Sequence, residues 1–480
     1  MQPPGDIHHR IARRTFLGRT SGWLGATALA SLLQTPGPLS AVDWLATQGV
    51  VTPTHHRPRA KRVIFLYMSG GPSQFETFDN KPKLTELTGA PMPASVISGQ
   101  PIAQLQGQKL YCLGSQFPFR KCGQSGQEIS EVLPRIGSIA DEICIVRSMV
   151  TDAINHDPAH TMMNTGTTIS GRPSMGSWIH YGLGSENQDL PGFVVLTSQG
   201  GRNPQPISTR QWHHGFLPAT HQGIQFHSQG DPVPYLGSPA GVDAQRQQEV
   251  VDAVRRLNHE ELGITDDPEI SARIAQLELA FRMQSSVPSL LDIRDEPESI
   301  RQLYGVQSID GSFAANCLLA RRMAERGVRF IQLYHRGWDH HNDIKMFMGK
   351  CAGFCDQASA ALIMDLKQRG MLDETLVIWG GEFGRTPMSQ SGKGEQVGRD
   401  HHMRAFSIWL AGGGIRPGIT YGATDELGYH AVENLVHVHD LHATVLHLLG
   451  IDHLRLTVRF QGRDFRLTDV AGSVVAPILA

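Results

Sequence analysis

Residues Val63 to Met68 (VIFLYM) form an unbroken apolar run that stops at Ser69-Gly70-Gly71-Pro72. A strand of this composition must be covered on both faces, as a parallel strand inside an α/β sheet is. Ile143 to Val146, Phe193 to Thr197, Val328 to Tyr334, Thr375 to Trp379 and Phe406 to Leu410 read as further strands. Pro158 to Asn164, Pro268 to Ser285, Phe313 to Arg326, Ile344 to Arg369 and Leu441 to Leu449 read as helices. Strand–helix–strand order predicts an α/β fold: a mostly parallel central sheet with helices on both faces. Gly200 to Gly241, rich in Gly, Pro, Gln and His without period, reads as a loop-rich insertion.

The length of 480 residues suits one large α/β domain with insertions. Apolar residues at 40% and charged residues at 18% describe a globular chain. Lys plus Arg number 43 and Asp plus Glu 45, a net charge of −2. That balance argues against nucleic acid or an anionic membrane as a bulk electrostatic partner. Six Cys are too few to build a fold of this length from disulfides. The 23 His are the compositional excess, and imidazole is the commonest metal ligand.

Arg13-Arg14-Thr15-Phe16-Leu17 precedes a short apolar run from Gly22 to Leu33. The run is too short to span a bilayer and has the length of a signal core. Residues 1–34 are therefore expected to be a twin-arginine signal segment read by the export machinery. Residues 35–60 are expected to be a linker and 61–480 the folded domain. The expected destination is the periplasm or cell envelope, an oxidising place where Cys112 and Cys122 are able to pair. Cys351 and Cys355, four apart on one helix, read as core thiols.

Ligands of parallel α/β sheets bind beyond the carboxyl ends of the strands. Four segments with unusual residues fall at such positions or beside them. They are Asn155-His156-Asp157-Pro158-Ala159-His160, Gly337-Trp338-Asp339-His340-His341, Gly381-Glu382-Phe383-Gly384-Arg385 and Gly398-Arg399-Asp400-His401. Adjacent strands lie only about 4.8 Å apart, so these loops can converge. Asp339, His341, Glu382 and His401 together offer an N/O ligand set for a divalent metal, zinc or manganese rather than calcium. Arg385 and Arg399 are candidate anion binders, because a guanidinium forks onto phosphate, sulfate or carboxylate. In His437-Val438-His439-Asp440, Asp440 is expected to cap the helix starting at Leu441.

These segments resemble the DUF1501 family of exported bacterial proteins, a branch of the alkaline phosphatase–sulfatase superfamily. The resemblance covers residues 61 to 480. Its carriers are Gly70-Gly71-Pro72-Ser73, Thr77-Phe78-Asp79, Gly171-Arg172-Pro173-Ser174, Gly337-Trp338-Asp339, Gly381-Glu382-Phe383-Gly384-Arg385-Thr386-Pro387, Gly398-Arg399-Asp400-His401 and Ala423-Thr424-Asp425-Glu426. It implies an alkaline phosphatase-like fold and a metal-dependent hydrolase of phosphate or sulfate esters. The substrate would be a small anionic ester or a sulfated or phosphorylated saccharide. The alternative is a non-catalytic anion- or polysaccharide-binding protein that keeps a degenerate site. By resemblance Asp339, His341 and His401 look like one metal site. Glu382-Phe383-Gly384 falls where sulfatases show Asp-His-Gly or Asp-Asn-Gly, so Glu382 keeps a carboxylate and Phe383 loses a ligand. Ser69 and Gly70 stand where the first strand would supply Asp. His156-Asp157-Pro158-Ala159-His160, followed by Thr165-Gly166, stands where sulfatases show Cys-x-Pro-x-Arg and then Thr-Gly. His156 thus takes the nucleophile's place, as a metal ligand, as a nucleophile itself, or as a packed residue.

Overall fold

The computed structural model describes residues 49–100, 102–227, 232–233, 244–265, 268–390 and 396–480. The expected signal segment and most of the expected linker lie outside them. From Gly49 onward the expected linker is docked on the domain. Val50 and Val51 donate backbone hydrogen bonds to Tyr181 and Gly182, and Arg59 and Ala60 to Leu448.

Along the chain, the strands of the main sheet and the larger helices run as follows. They are β1 (Arg62–Ser69), β2 (Ile143–Val150), α1 (His156–Thr165), α2 (Met175–Leu183), β3 (Phe193–Gln199), β4 (Ile224–Phe226), α3 (Ala244–Thr265) and α4 (Pro268–Leu291). Then come α5 (Phe313–Glu325), β5 (Phe330–Arg336), α6 (Ile344–Gln368), β6 (Thr375–Gly380), β7 (Phe406–Ala411), β8 (Ile419–Tyr421), β9 (Val436–His437) and α7 (Val438–Leu448). The sheet order is β8-β2-β7-β6-β1-β5-β3-β4, with β9 also paired to β2. All its pairings are parallel except those of β7, which runs antiparallel to both β2 and β6. The sheet is thus mostly parallel, as the apolar runs predict.

Because side chains alternate across a strand, β1 feeds two cores. Ile64, Leu66 and Met68 pack with residues of α4, α5 and α6, including Val287, Leu318 and Leu362. Val63, Phe65 and Tyr67 pack with residues of α1, α2 and α7, including Met163, Trp178 and Val445. Helices therefore cover both faces. Leu66 is fully buried at the centre, and its truncation to Ala would cost about 2–5 kcal/mol.

Three local expectations change. Helices α2 and α3 are not among those expected; α2 carries two glycines, and Ser174 starts it by accepting a hydrogen bond from Ser177 N. Helix α7 begins at Val438, so Asp440 lies inside its first turn; its carboxylate accepts from His437 N at 2.8 Å. Cys112 and Cys122 are unpaired and sit in separate core clusters, whereas Cys351 and Cys355 are core thiols as expected. No described helix is long and apolar enough to cross a membrane.

Candidate functional site

The carboxyl ends of β1, β3, β5 and β6, and the start of α1 beyond β2, face one place. The β5 loop closes directly over the end of β1. At Gly70, with φ +122°, a Cβ would lie 2.5 Å from Asp339 N, so only glycine permits the contact.

Asp339 occupies the centre and is 5% exposed. Its Oδ1 lies 3.3 Å from His156 Nε2, 2.8 Å from His341 Nε2 and 3.4 Å from His401 Nε2. The other nitrogen of each ring is engaged elsewhere. His156 Nδ1 meets Glu382 Oε1 at 2.6 Å, His401 Nδ1 meets the Ile154 carbonyl at 3.0 Å, and His341 Nδ1 meets Gln390 Oε1. All three partners are acceptors, so each Nδ1 carries the hydrogen. The Gln390 amide is oriented by its Nε2, which donates to Gln104 Oε1 at 2.8 Å.

Each ring consequently turns its Nε2 toward one carboxylate oxygen. Three imidazole nitrogens and a carboxylate oxygen converging in this way form a set that a cation would ligate. The Nε2 atoms of His156 and His401 are buried and without a hydrogen-bond partner among the described residues. Metal–ligand bonds of about 2.0–2.2 Å make tetrahedral edges of about 3.3–3.6 Å, which matches the contacts of His156 and His401 with Asp339. The ligand atoms of His156, Asp339, His341 and His401 all lie within 4.8 Å of one another. The Nδ1 partners are the outer contacts that fix the tautomer of ligating histidines. The donor set therefore fits a divalent ion such as zinc.

The electrostatics agree. Burial favours the neutral form of Asp339, but Arg385 and the contacts with His156, His341 and His401 outweigh it and hold the carboxyl far below its ordinary range. Burial likewise opposes protonation of His156, but Asp339 and Glu382 override it and raise its pKa. A proton on His156 is then the metal-free counterpart of the cation. His401 is pushed down to about 4, chiefly by burial.

Glu382 falls in a second group, with His156 and His160 rather than with Asp339, His341 and His401. It accepts from Gly70 N at 3.0 and 3.2 Å and from His156 Nδ1, and its Oε2 lies 3.6 Å from His160 Nδ1. Although burial opposes its ionisation, His160 and His156 bring its pKa to about 2. Expected as a ligand beside Asp339, Glu382 stands behind His156 and forms with His156 and His160 a second set of side chains that could hold a metal ion. Phe383 ligates nothing, as expected; its ring packs on His156 at 4.9 Å and on His401 at 4.7 Å.

The two expected anion-binding arginines are fully buried. Arg399 commits all its N–H groups: Nε and Nη2 to Glu76, Nη1 to Leu113 O and Thr386 O, and Nη2 also to Gly114 O. It has no donor left for an anion. Arg385 donates to Asp339 Oδ1 at 2.7 Å and to the carbonyls of Gly70, Gly71 and Arg399. It braces the site's carboxylate.

His160, Gln205 and Gln390 touch the site or its partners and are absent from the expected set. His160 carried a signal, its spacing of four from His156, which puts both on one face once α1 is seen to start at His156.

Some solved structures are distantly similar. A sulfatase from Pseudoalteromonas sp. is 13% identical, with 82% of this chain and 68% of that chain covered and a TM-score of 0.33. A phosphonate monoester hydrolase from Silicibacter pomeroyi is 11% identical over 72% and 71%, with a TM-score of 0.30. A TAB5 alkaline phosphatase mutant with Mg bound is 10% identical over 82% and 98%, with a TM-score of 0.31. No curated protein matches. Over residues 60–479 the chain matches the family described as protein of unknown function, DUF1501, and it belongs to that family.

Proposed function

We propose that this chain is a metal-dependent hydrolase of phosphate or sulfate esters that works outside the cytoplasm. The observation that carries this reading is the convergence of three Nε2 atoms on Asp339 Oδ1, each ring oriented by an acceptor at Nδ1. The ester class rests on the resemblance of the loop motifs to the alkaline phosphatase–sulfatase superfamily, and the location on Arg13-Arg14.

His156, His341, His401 and Asp339 would hold the ion. A divalent ion there supplies Lewis acidity to an ester oxygen and lowers the pKa of water. The remaining residues set up the site. Glu382 keeps His156 Nδ1 protonated and its Nε2 aimed inward, which makes His156 a ligand and not a nucleophile. Ser69 Oγ is buried 3.4 Å from His160 Nε2. Phe383 walls off one side of the two rings. The rims of His156 and His341, with side chains 12% and 18% exposed, are the side open to a ligand.

Metal analysis of the purified mature chain, followed by turnover of aryl phosphate and aryl sulfate esters with and without added zinc or manganese, tests the proposal. Metal-dependent turnover that a chelator abolishes is the expected result. One metal per chain with no turnover would favour the second reading, a non-catalytic protein. That reading has its own support: four protein ligands can close a tetrahedral zinc site, and the guanidiniums of Arg385 and Arg399 are already engaged with carboxylates and carbonyls of the protein.

A further inference from the structure

Asp339 has two carboxylate oxygens, and only Oδ1 faces the histidines. Oδ2 accepts a hydrogen bond from Gln205 Nε2 at 2.6 Å. Gln205 comes from the loop after β3, and that loop is built to hold it. Pro204 and Pro206 flank it, one with a fixed φ and the other keeping Gln205 out of the helical region. Arg336, the last residue of β5, donates from Nε to Gln205 O at 2.8 Å and from Nη2 to Pro204 O at 3.1 Å. Gly200 N donates to Arg336 O at 2.8 Å. At Gly337, with φ +111°, a Cβ would lie 2.6 Å from Gly201 N, so the two loops touch backbone to backbone. Five consecutive contacts thus fix one amide against one oxygen.

We propose that Gln205 is a positioning residue that confines Asp339 to ligation through a single oxygen and so biases the site toward a small ion with few ligands. This deepens the function proposed above and rests on the same ligand set. The chemistry is that of carboxylate denticity. Zinc takes four ligands, nitrogen and oxygen alike, whereas manganese prefers oxygen donors and octahedral surroundings. A carboxylate free to turn offers either ion what it prefers. With Oδ2 tied to Gln205 and Oδ1 braced by Arg385, Asp339 gives one oxygen to three nitrogens. That is a zinc-like set.

The test uses the mature chain stripped of metal, as wild type, Gln205→Leu and Arg336→Met. Leu keeps the side chain's bulk and removes the donor; Met frees the loop without touching Asp339. Zinc and manganese are competed in equilibrium dialysis, and visible spectra are recorded after cobalt(II) loading. Wild type should prefer zinc and give the intense cobalt bands of low coordination number. Gln205→Leu should lose about 10–100-fold in zinc affinity, narrow the zinc-over-manganese ratio, and weaken the cobalt bands. Arg336→Met should shift both readouts the same way by less. If wild type binds metal and both variants match it in ratio and spectrum, Gln205 does not set the preference. If wild type binds none of the three ions, the ligand set itself is wrong and this inference falls with it. Should Gln205→Leu not fold, an Arg336→Met protein with an unchanged ratio and spectrum overturns the proposal alone.

Discussion

Asp339 and Glu382 are both buried carboxylates, and they touch His156 at opposite ring nitrogens. Around Glu382 the closest neighbours bring hydrogen: Gly70 N and His156 Nδ1 both donate to it. Around Asp339 Oδ1, three Nε2 atoms converge, and Arg385 donates a hydrogen bond. A carboxylate surrounded by donors is satisfied and acts as a bracket. Three imidazole nitrogens converging on one oxygen make a set that would hold a cation. Under the proposed function the metal therefore belongs at Asp339 and the supporting role at Glu382, although both loops leave the same edge of the sheet.

The largest effect should come from Asp339→Asn. It removes the ligand charge and leaves Arg385 buried without its anion, a loss of about 3–5 kcal/mol. Metal analysis and denaturant unfolding should both register it; a variant that keeps its metal would refute the central position of Asp339. Arg399→Met should cost a similar amount, about 3–5 kcal/mol, because the buried Glu76 carboxylate then loses its cation. Its metal content per folded molecule should stay at the wild-type level, since Arg399 touches none of the ligands. Selective loss of substrate affinity with unchanged stability would restore Arg399 as an anion binder.

Glu382→Gln sharpens the comparison. Glutamine's amide oxygen can still accept from His156 Nδ1, so the site should survive with zinc affinity lowered about 10–100-fold. Complete loss of metal would make Glu382 a ligand after all. The smallest effect concerns a histidine with no carboxylate beside it. Burial pushes His335 down to about 3. Its folded pKa lies below the unfolded value, so its stability contribution is intact above about pH 6.5 and is lost as pH falls toward 3. The slope is about 1.4 kcal/mol per pH unit. His335→Gln, which keeps a partner for Ser198, should flatten the unfolding free energy between pH 6.5 and 5 by about 2 kcal/mol. An unchanged slope would mean that folded His335 takes up the proton.

Much of the fold was legible because apolar runs such as VIFLYM admit few burials. Helix α2, with Gly176 and Gly182 inside it, defied propensity because the packing of Met175, Trp178 and Ile179 into the core overrides it. Strand β7 ran opposite to the rest, a direction that apolar content does not encode. At the site, Asp339, His341 and His401 were readable because each follows or precedes a strand by a few residues. Glu382 was legible as a possible ligand, but residue type does not show which atoms its neighbours present, and the structure groups it with His156 and His160 instead of with Asp339. Arg385 and Arg399 were read as anion binders from residue type, and in the structure their guanidiniums meet Asp339, Glu76 and backbone carbonyls. Gln205 was invisible because its loop lacks any period, and its role appears only through Arg336 and the backbone contact of Gly201 with Gly337.

The account turns on one cation at one place. Crystals of the metal-loaded protein, with anomalous diffraction recorded at the zinc and manganese edges, would locate it directly. The prediction is a single strong peak about 2.0–2.2 Å from the Nε2 atoms of His156, His341 and His401 and from Asp339 Oδ1, with Glu382 outside bonding distance. A peak bonded to Glu382 and His160 instead, or no peak in a loaded and well-ordered site, would contradict it.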